Sequence, residues 1–93
     1  MATITIPTPL RKYVEGRDNI ILEAATVGEL LSKLVENYPD LGQHLFSAEG
    51  KLRSFVNLYV GDEDIRYLQG EATPLRSGEI VSIIPAIAGG TAR

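Results

Sequence analysis

Gly89 and Gly90 close the run Ala86-Ile87-Ala88-Gly89-Gly90 near the end of the chain. Glycine has no Cβ, so another protein's backbone, or a nucleotide, can approach such a pair closely. A carboxylate ending on Gly90 would be sterically open to activation. The small residues before it, with Ile87 the one bulky member, make a strip slim enough to thread a narrow channel. Ile80-Val81-Ser82-Ile83-Ile84 ahead of it reads as a buried strand, and Pro85 ends that strand. Extended at about 3.3 Å per residue, the stretch from Ile84 to Gly90 would reach roughly 20 Å from a globule. A glycine pair also has a plainer meaning, a flexible linker before a disordered end. With nine glycines in the chain, one Gly-Gly is unremarkable by count. Its place directly after a core strand is what raises it.

No other residues offer comparable chemistry. There is no cysteine, which removes disulfides, thiolate metal sites and thiol catalysis and fits a reducing cytoplasm. The single histidine, His44, cannot supply a His-rich metal site or a credible hydrolytic triad. Between polar and apolar neighbours it reads as a surface or capping residue. The one strand-to-helix link, Ala25-Thr26-Val27-Gly28, lacks the glycines of a phosphate-binding loop. Asp62-Glu63-Asp64 has no second acidic cluster to complete a hard-cation site and reads as a solvated turn. Nothing places two carboxylates together in an apolar pocket. No catalytic residue, metal ligand or bound cofactor is therefore assigned to this chain. A net charge of −3 disfavours nucleic acid and anionic membrane, since either would want a basic patch. Met1 to Ile6 is too short and alternating for a signal peptide, and no stretch approaches the length of a membrane span.

The elements that must hold the tail follow from periodicity. The length of 93 residues predicts one domain, residues 1–85, with a tail at 86–93. Thr3-Ile4-Thr5-Ile6 alternates and predicts a strand, stopped by Pro7 and Pro9. Leu10 to Tyr13 reads as a second short extended piece, with a turn at 15–19. Asn19 to Ala24 reads as a strand antiparallel to the first. Thr26-Val27-Gly28-Glu29 is a capping box, in which Glu29 would reach back to the N–H of Thr26. Val27, Leu30, Leu31, Leu34, Val35 and Tyr38 then mark one face of a helix over 26–38, closed by Pro39. Leu41, Leu45 and Phe46 read as a short irregular or 3₁₀ segment, followed by a turn at 48–51.

Phe55 to Val60 is strongly β-prone, with Val56, Leu58 and Val60 on one face and Phe55, Asn57 and Tyr59 on the other. Ile65 to Leu68 reads as a short return strand, and residues 79–84 as the last strand. One main helix against a mixed sheet is an α+β architecture. The first and last strands are both apolar and would pair centrally and in parallel, with the helix in the crossover.

Leu75-x-x-Gly78-Glu79-x-Val81-x-Ile83-x-Pro85-x-x-x-Gly89-Gly90 resembles the C-terminal signature of the ubiquitin-like sulfur carriers, the ThiS/MoaD family. Phe55-Val56-Asn57-Leu58-Tyr59-Val60, followed by Asp62-Glu63-Asp64-Ile65-Arg66, resembles the central segment of that family. With Ile6-Pro7-Thr8 near the start, the chain is most similar to the CysO branch, which serves cysteine biosynthesis. The resemblance covers nearly the whole chain and implies a β-grasp (ubiquitin-like) fold. It also implies a mechanism. A ThiF/MoeB-like enzyme would use ATP and Mg²⁺ to adenylate the Gly90 carboxylate, and a sulfur donor would displace AMP to leave a thiocarboxylate. Gly89, Ala88 and Ile87 would enter the partner with it, and a cysteine synthase-like enzyme would accept the sulfur.

One departure from the family stands out. Family members in active form end at Gly-Gly, whereas here Thr91-Ala92-Arg93 follows, so Gly90 is an internal amide. The resemblance implies a precursor cut between Gly90 and Thr91 by a metalloprotease of the JAMM type. The alternative is that the three residues are foreign to the native chain. Other functions also fit the same tail: the small, MoaD-like subunit of molybdopterin synthase, a ubiquitin-like modifier joined to lysines through Gly90, or a plain interaction domain with an inert end. The expected docking face is the exposed side of the sheet beside the tail, with Phe55, Tyr59 and Ile84 as candidates. The competing reading buries them in a second small cluster under residues 39–54.

Overall fold

Two strands from opposite ends of the chain meet at the centre of the sheet. Strand β1 (Ala2–Thr5) runs parallel to β5 (Ile80–Pro85), with Thr3 beside Ile80, Ile4 beside Val81 and Thr5 beside Ser82. The computed structural model describes residues 1–53 and 56–85. Strand β2 (Asn19–Leu22) returns antiparallel along the free side of β1. On the other side β5 pairs antiparallel with β3 (Val56–Val60), which turns through Gly61 and Asp62 into the two-residue β4 (Glu63–Asp64). The sheet order is β2-β1-β5-β3-β4. The central parallel pair and the mixed sheet are as the sequence predicts.

Helix α1 (Val27–Asn37) covers the inner face. Its Val27, Leu30, Leu31 and Leu34 are completely buried, against Ile4, Val81, Ile83 and Leu58 from the sheet. Burial of each such side chain contributes about 1.5–3 kcal/mol before the entropy of ordering is set against it. Thr26 caps the helix by accepting from the Glu29 N–H at 3.1 Å. The Glu29 carboxylate reaches one residue further than the capping box predicts and accepts from the N–H of Ala25. The segment 69–76 is strapped across the start of α1, through Val27 N–H to Thr73 C=O and Leu75 N–H to Ala25 C=O.

Three segments differ from the sequence reading. Leu10–Tyr13 is not extended: Thr8–Val14 forms a 3₁₀ helix. Pro9 lies in its first turn, where a fixed φ favours helical geometry. A helical turn also puts Leu10, Tyr13 and Val14 on one side against the core, which alternation would prevent. Ile65–Leu68 is not a return strand, because Ile65–Tyr67 is a 3₁₀ turn capped by the Asp64 side chain. The pairing back onto β3 is confined to Glu63 and Asp64. Residues 41–46 are more regular than expected. Pro39 does stop α1, but it also starts helix α2 (Pro39–Leu45), whose Leu41 and Leu45 lie one turn apart and are fully buried.

Helices α1 and α2 approach so closely that a Cβ on Gly42 would come within 2.7 Å of Val35 Cγ1. Valine in a helix has one strongly preferred rotamer and cannot swing aside. Overpacking therefore outweighs the helix propensity that alanine adds, and Gly42→Ala is expected to lower stability by about 1 kcal/mol. In a Val35→Ala background the same substitution becomes neutral or stabilising. Urea unfolding of the four proteins of this double-mutant cycle reads the coupling directly.

Candidate functional site

The end of β5 is held asymmetrically. Val81 and Ser82 are flanked on both sides by β1 and β3, while Ile80 pairs with Thr3 of β1 and accepts from the N–H of Gly61, just beyond β3. The pairing with β1 stops at Ser82, while β3 continues through Leu58 opposite Ile83, Asn57 opposite Ile84 and Val56 opposite Pro85. The last three residues are thus carried out along one neighbour only. Ile83 is anchored in the core at 3% exposure, and the strand keeps its register up to Pro85. Pro85, expected to end the strand, is itself paired within the ladder. It sits opposite Val56, whose N–H is already taken by Arg53 C=O at 3.0 Å.

Alternation decides which apolar residues face out. Ile80–Ile84 is not uniformly buried: Val81 and Ile83 point inward, while Ile80 and Ile84 are 51% and 47% exposed. Cross-strand partners share a face. Ile84 therefore lies beside Asn57 on the outer face, with the half-buried Tyr59 and its partner Ser82 in the next row. Tyr59 and Ile84 are diagonal neighbours, a spacing an aromatic ring can bridge. The structure thus brings together two of the three expected docking residues, on the solvent side of the sheet. Phe55, the third, lies outside the described residues, as do Ile87, Ala88, Gly89, Gly90 and Thr91 of the tail. The sequence reading missed Ile21 and Ile80, which extend the exposed apolar surface across the same face. The period-2 rule applied to the whole run 80–84 would have found Ile80.

The acidic turn is not the solvated feature it resembles in sequence. Asp62 and Glu63 are exposed, but Asp64 is only 5% exposed and its carboxylate is engaged by Arg66. Arg66 Nη2 donates to Oδ2 at 2.7 Å, and Nε lies 3.2 Å from both oxygens. The Arg66 backbone N–H donates to Oδ1 at 2.8 Å. With both oxygens committed, Asp64 is diverted from its acidic neighbours, and no group of three or more such side chains that could hold a metal occurs among the described residues. His44 is exposed and stacks on Tyr13, ring centroids 4.2 Å apart, as suits a surface residue. No helix among the described residues is long and apolar enough to cross a membrane.

A small mixed sheet around one main helix, with its central C-terminal strand leading to a Gly-Gly pair, defines a β-grasp protein of the ubiquitin-like carrier type. The chain belongs to the ThiS family, whose model matches residues 4–90, Gly89 and Gly90 included. It is 42% identical over 90 residues to the sulfur carrier protein CysO of Mycobacterium tuberculosis, a match covering 95% of this chain and 97% of the relative. The crystal structure of M. tuberculosis CysO superposes with a TM-score of 0.84 at 39% identity, over 94% of this chain and all of that one. The CysO of the Amycolatopsis orientalis BexX/CysO complex has a TM-score of 0.87 at 34% identity, over 97% of this chain and all of that one.

The Arg66 side-chain hydrogen bond, then its backbone N–H, hold the Asp64 carboxyl below the usual carboxylate range. A depressed carboxyl pKa stabilises the fold above the unfolded value, about 3.9, and that contribution fades as pH falls through the lower folded value. Proton-detected titration should therefore show the Asp64 carboxyl with a midpoint below that of an aspartate in the unfolded chain. Asp64→Asn should lose protection of the 61–68 amides already at neutral pH and show a shallower acid dependence there. A midpoint for Asp64 at or above its unfolded value would contradict the geometry.

Proposed function

We propose that this chain is a sulfur carrier, a protein substrate rather than a catalyst, that bears sulfur as a thiocarboxylate on Gly90. Family membership across residues 4–90 supports the reading, as does the likeness to CysO proteins. The observation that carries it is the placement of β5. A register-locked central strand ends at Pro85, five residues before Gly90. Those five residues span at most about 17 Å when extended, enough for a terminus to enter another protein's active site while the sheet stays outside.

The chemistry follows from a Gly90 carboxylate. One of its oxygens attacks the α-phosphorus of ATP in a ThiF/MoeB-like partner, and pyrophosphate leaves. The partner supplies the Mg²⁺. Sulfide then adds to the activated carbonyl and AMP departs, leaving –CO–S⁻ with no change in oxidation state. A second partner, a cysteine synthase-like enzyme, takes the sulfur. Gly89, Ala88 and Ile87 line the approach, and the absence of Cβ at the two glycines leaves the carbonyl open to both nucleotide and nucleophile. The cargo rides on the backbone terminus, so the chain needs no cysteine. Because Thr91-Ala92-Arg93 follows Gly90, cleavage of the Gly90–Thr91 bond by a JAMM-type metalloprotease precedes activation. Ile84 and Tyr59, with Phe55, form the docking face beside the tail. An ATP-dependent cycle of this kind belongs in the cytoplasm.

One experiment with three arms tests the reading. The chain ending at Gly90, incubated with an adenylating enzyme, ATP, Mg²⁺ and sulfide, should gain the mass difference between sulfur and oxygen at its C-terminus. The full 93-residue chain should gain nothing until it is cut. Ile84→Lys in the shortened chain should react about tenfold more slowly, since it places a charge in the centre of the docking face. No mass gain in the shortened chain would defeat the proposal. Equal rates with and without Ile84→Lys would defeat the docking face alone.

A further inference from the structure

Among the described residues, the outer edge of β2 is an unguarded pairing strand. Ile6 N–H donates to Asp18 C=O at 2.8 Å, which fixes the phase of the β1–β2 ladder. In that phase Ile20 and Leu22 exchange bonds with Ile4 and Ala2. The alternate residues Asn19 and Ile21 then turn their N–H and C=O groups away from β1, towards the outside of the sheet. Edge strands are commonly blunted by lysine, proline, a bulge or an inward charge. Asn19-Ile20-Ile21-Leu22 has none of these. Ile21 is 62% exposed, the most exposed isoleucine among the described residues.

We propose that this edge binds a second copy of the same chain, β2 against β2, about a two-fold axis through Ile21. The ladder phase selects the register. An axis at Ile20 or Leu22 would find backbone groups already spent on β1, whereas an axis at Ile21 lets it exchange both bonds with the partner's Ile21. The two exposed isoleucine side chains then cover each other on the outer face. Asn19 falls opposite the partner's Glu23, and the half-buried Leu22 gains the partner's Ile20 as neighbour.

Charges at the strand ends are complementary in this arrangement. Arg17 extends past Asn19 towards the partner's Glu23, which lies at the acidic end of that copy's strand. Among the described residues, the Arg17 side chain makes a loose 3.8 Å contact with Glu15, both side chains being exposed. One group is already occupied: Glu23 C=O accepts from Lys33 Nζ, so the outer bonds rest on Glu23 N–H and Asn19 C=O. The pairing joins two sheets into one and continues the row Ile80-Thr3-Ile21 into its symmetry mate. It leaves β5 two strands, about 10 Å, from the new seam. The association therefore stands apart from the carrier reading.

Sedimentation equilibrium of the full chain, from the micromolar to the millimolar range, tests the proposal. The mass-average should rise towards two chains, and the Ile21 amide should become protected from hydrogen exchange over the same range. Ile21→Lys sets two like charges across the axis and should weaken association by about tenfold or more. Tyr67→Lys, at an exposed apolar site beyond β4, should leave it unchanged. A single-chain mass throughout overturns the proposal. So does association that survives Ile21→Lys, or that is lost with Tyr67→Lys.

Discussion

The parallel pairing of β1 with β5 is the constraint on which the remaining structure depends. It joins residues from the two ends of the sequence, and it is extended by Thr3 N–H to Glu79 C=O and Gly78 N–H to Met1 C=O. A parallel pair cannot be closed by a hairpin, so the intervening chain must cross over a face of the sheet. Helix α1 makes that crossing and buries its apolar stripe on Ile4, Val81 and their neighbours. β2 and β3 then pair outward from the central strands, each antiparallel. The inner face becomes the core, and the outer face carries Thr3, Thr5, Ser82 and the exposed isoleucines.

Centrality also governs the candidate site. A terminal strand at a sheet edge would fray, because every bond it makes is to one neighbour. β5 is flanked on both sides at its start and on one side at its end. The body therefore grips Ile80–Ser82 firmly, while Ile83–Pro85 is led along β3 with no second neighbouring strand among the described residues. Loosening Pro85 costs few interactions; loosening Ser82 would open the middle of the sheet. The grip on β5 is thus graded along its length, firm at Ser82 and lighter at Pro85.

Much of this was legible in the residues. The spacing of Val27, Leu30, Leu31 and Leu34 with the Thr26–Glu29 box placed α1 within a residue at each end, because its cap and stripe are local signals. The alternation of Thr3–Ile6 and the apolar final strand were enough to pair β1 with β5 centrally. The misreadings are short segments where tertiary contacts override weak local preference. Leu10–Tyr13 could alternate as a strand on paper, but Pro9 and the buried Val14 select a helical turn. Asp64 looked solvated because the turn that brings Arg66 onto its carboxylate is itself a consequence of that pairing. Ile80 looked buried because a run of apolar residues hides its own alternation when only Ser82 is polar.

In the carrier reading proposed above, a division of labour follows from where the chemistry would be attached. In an enzyme, the reacting groups sit on the scaffold, so stability and chemistry compete for the same side chains. Here the core residues of β5, Val81 and Ile83, precede Gly90 by at least seven positions in the sequence, and the outer-face residue Ile84 meets solvent. Substitution in the core would alter how much of the protein is folded without altering the reactivity of a glycine carboxylate. Substitution on the outer face would alter which partner is met without altering either. On that reading, recognition, stability and cargo would occupy three different sets of residues. They are linked only through the register of one strand.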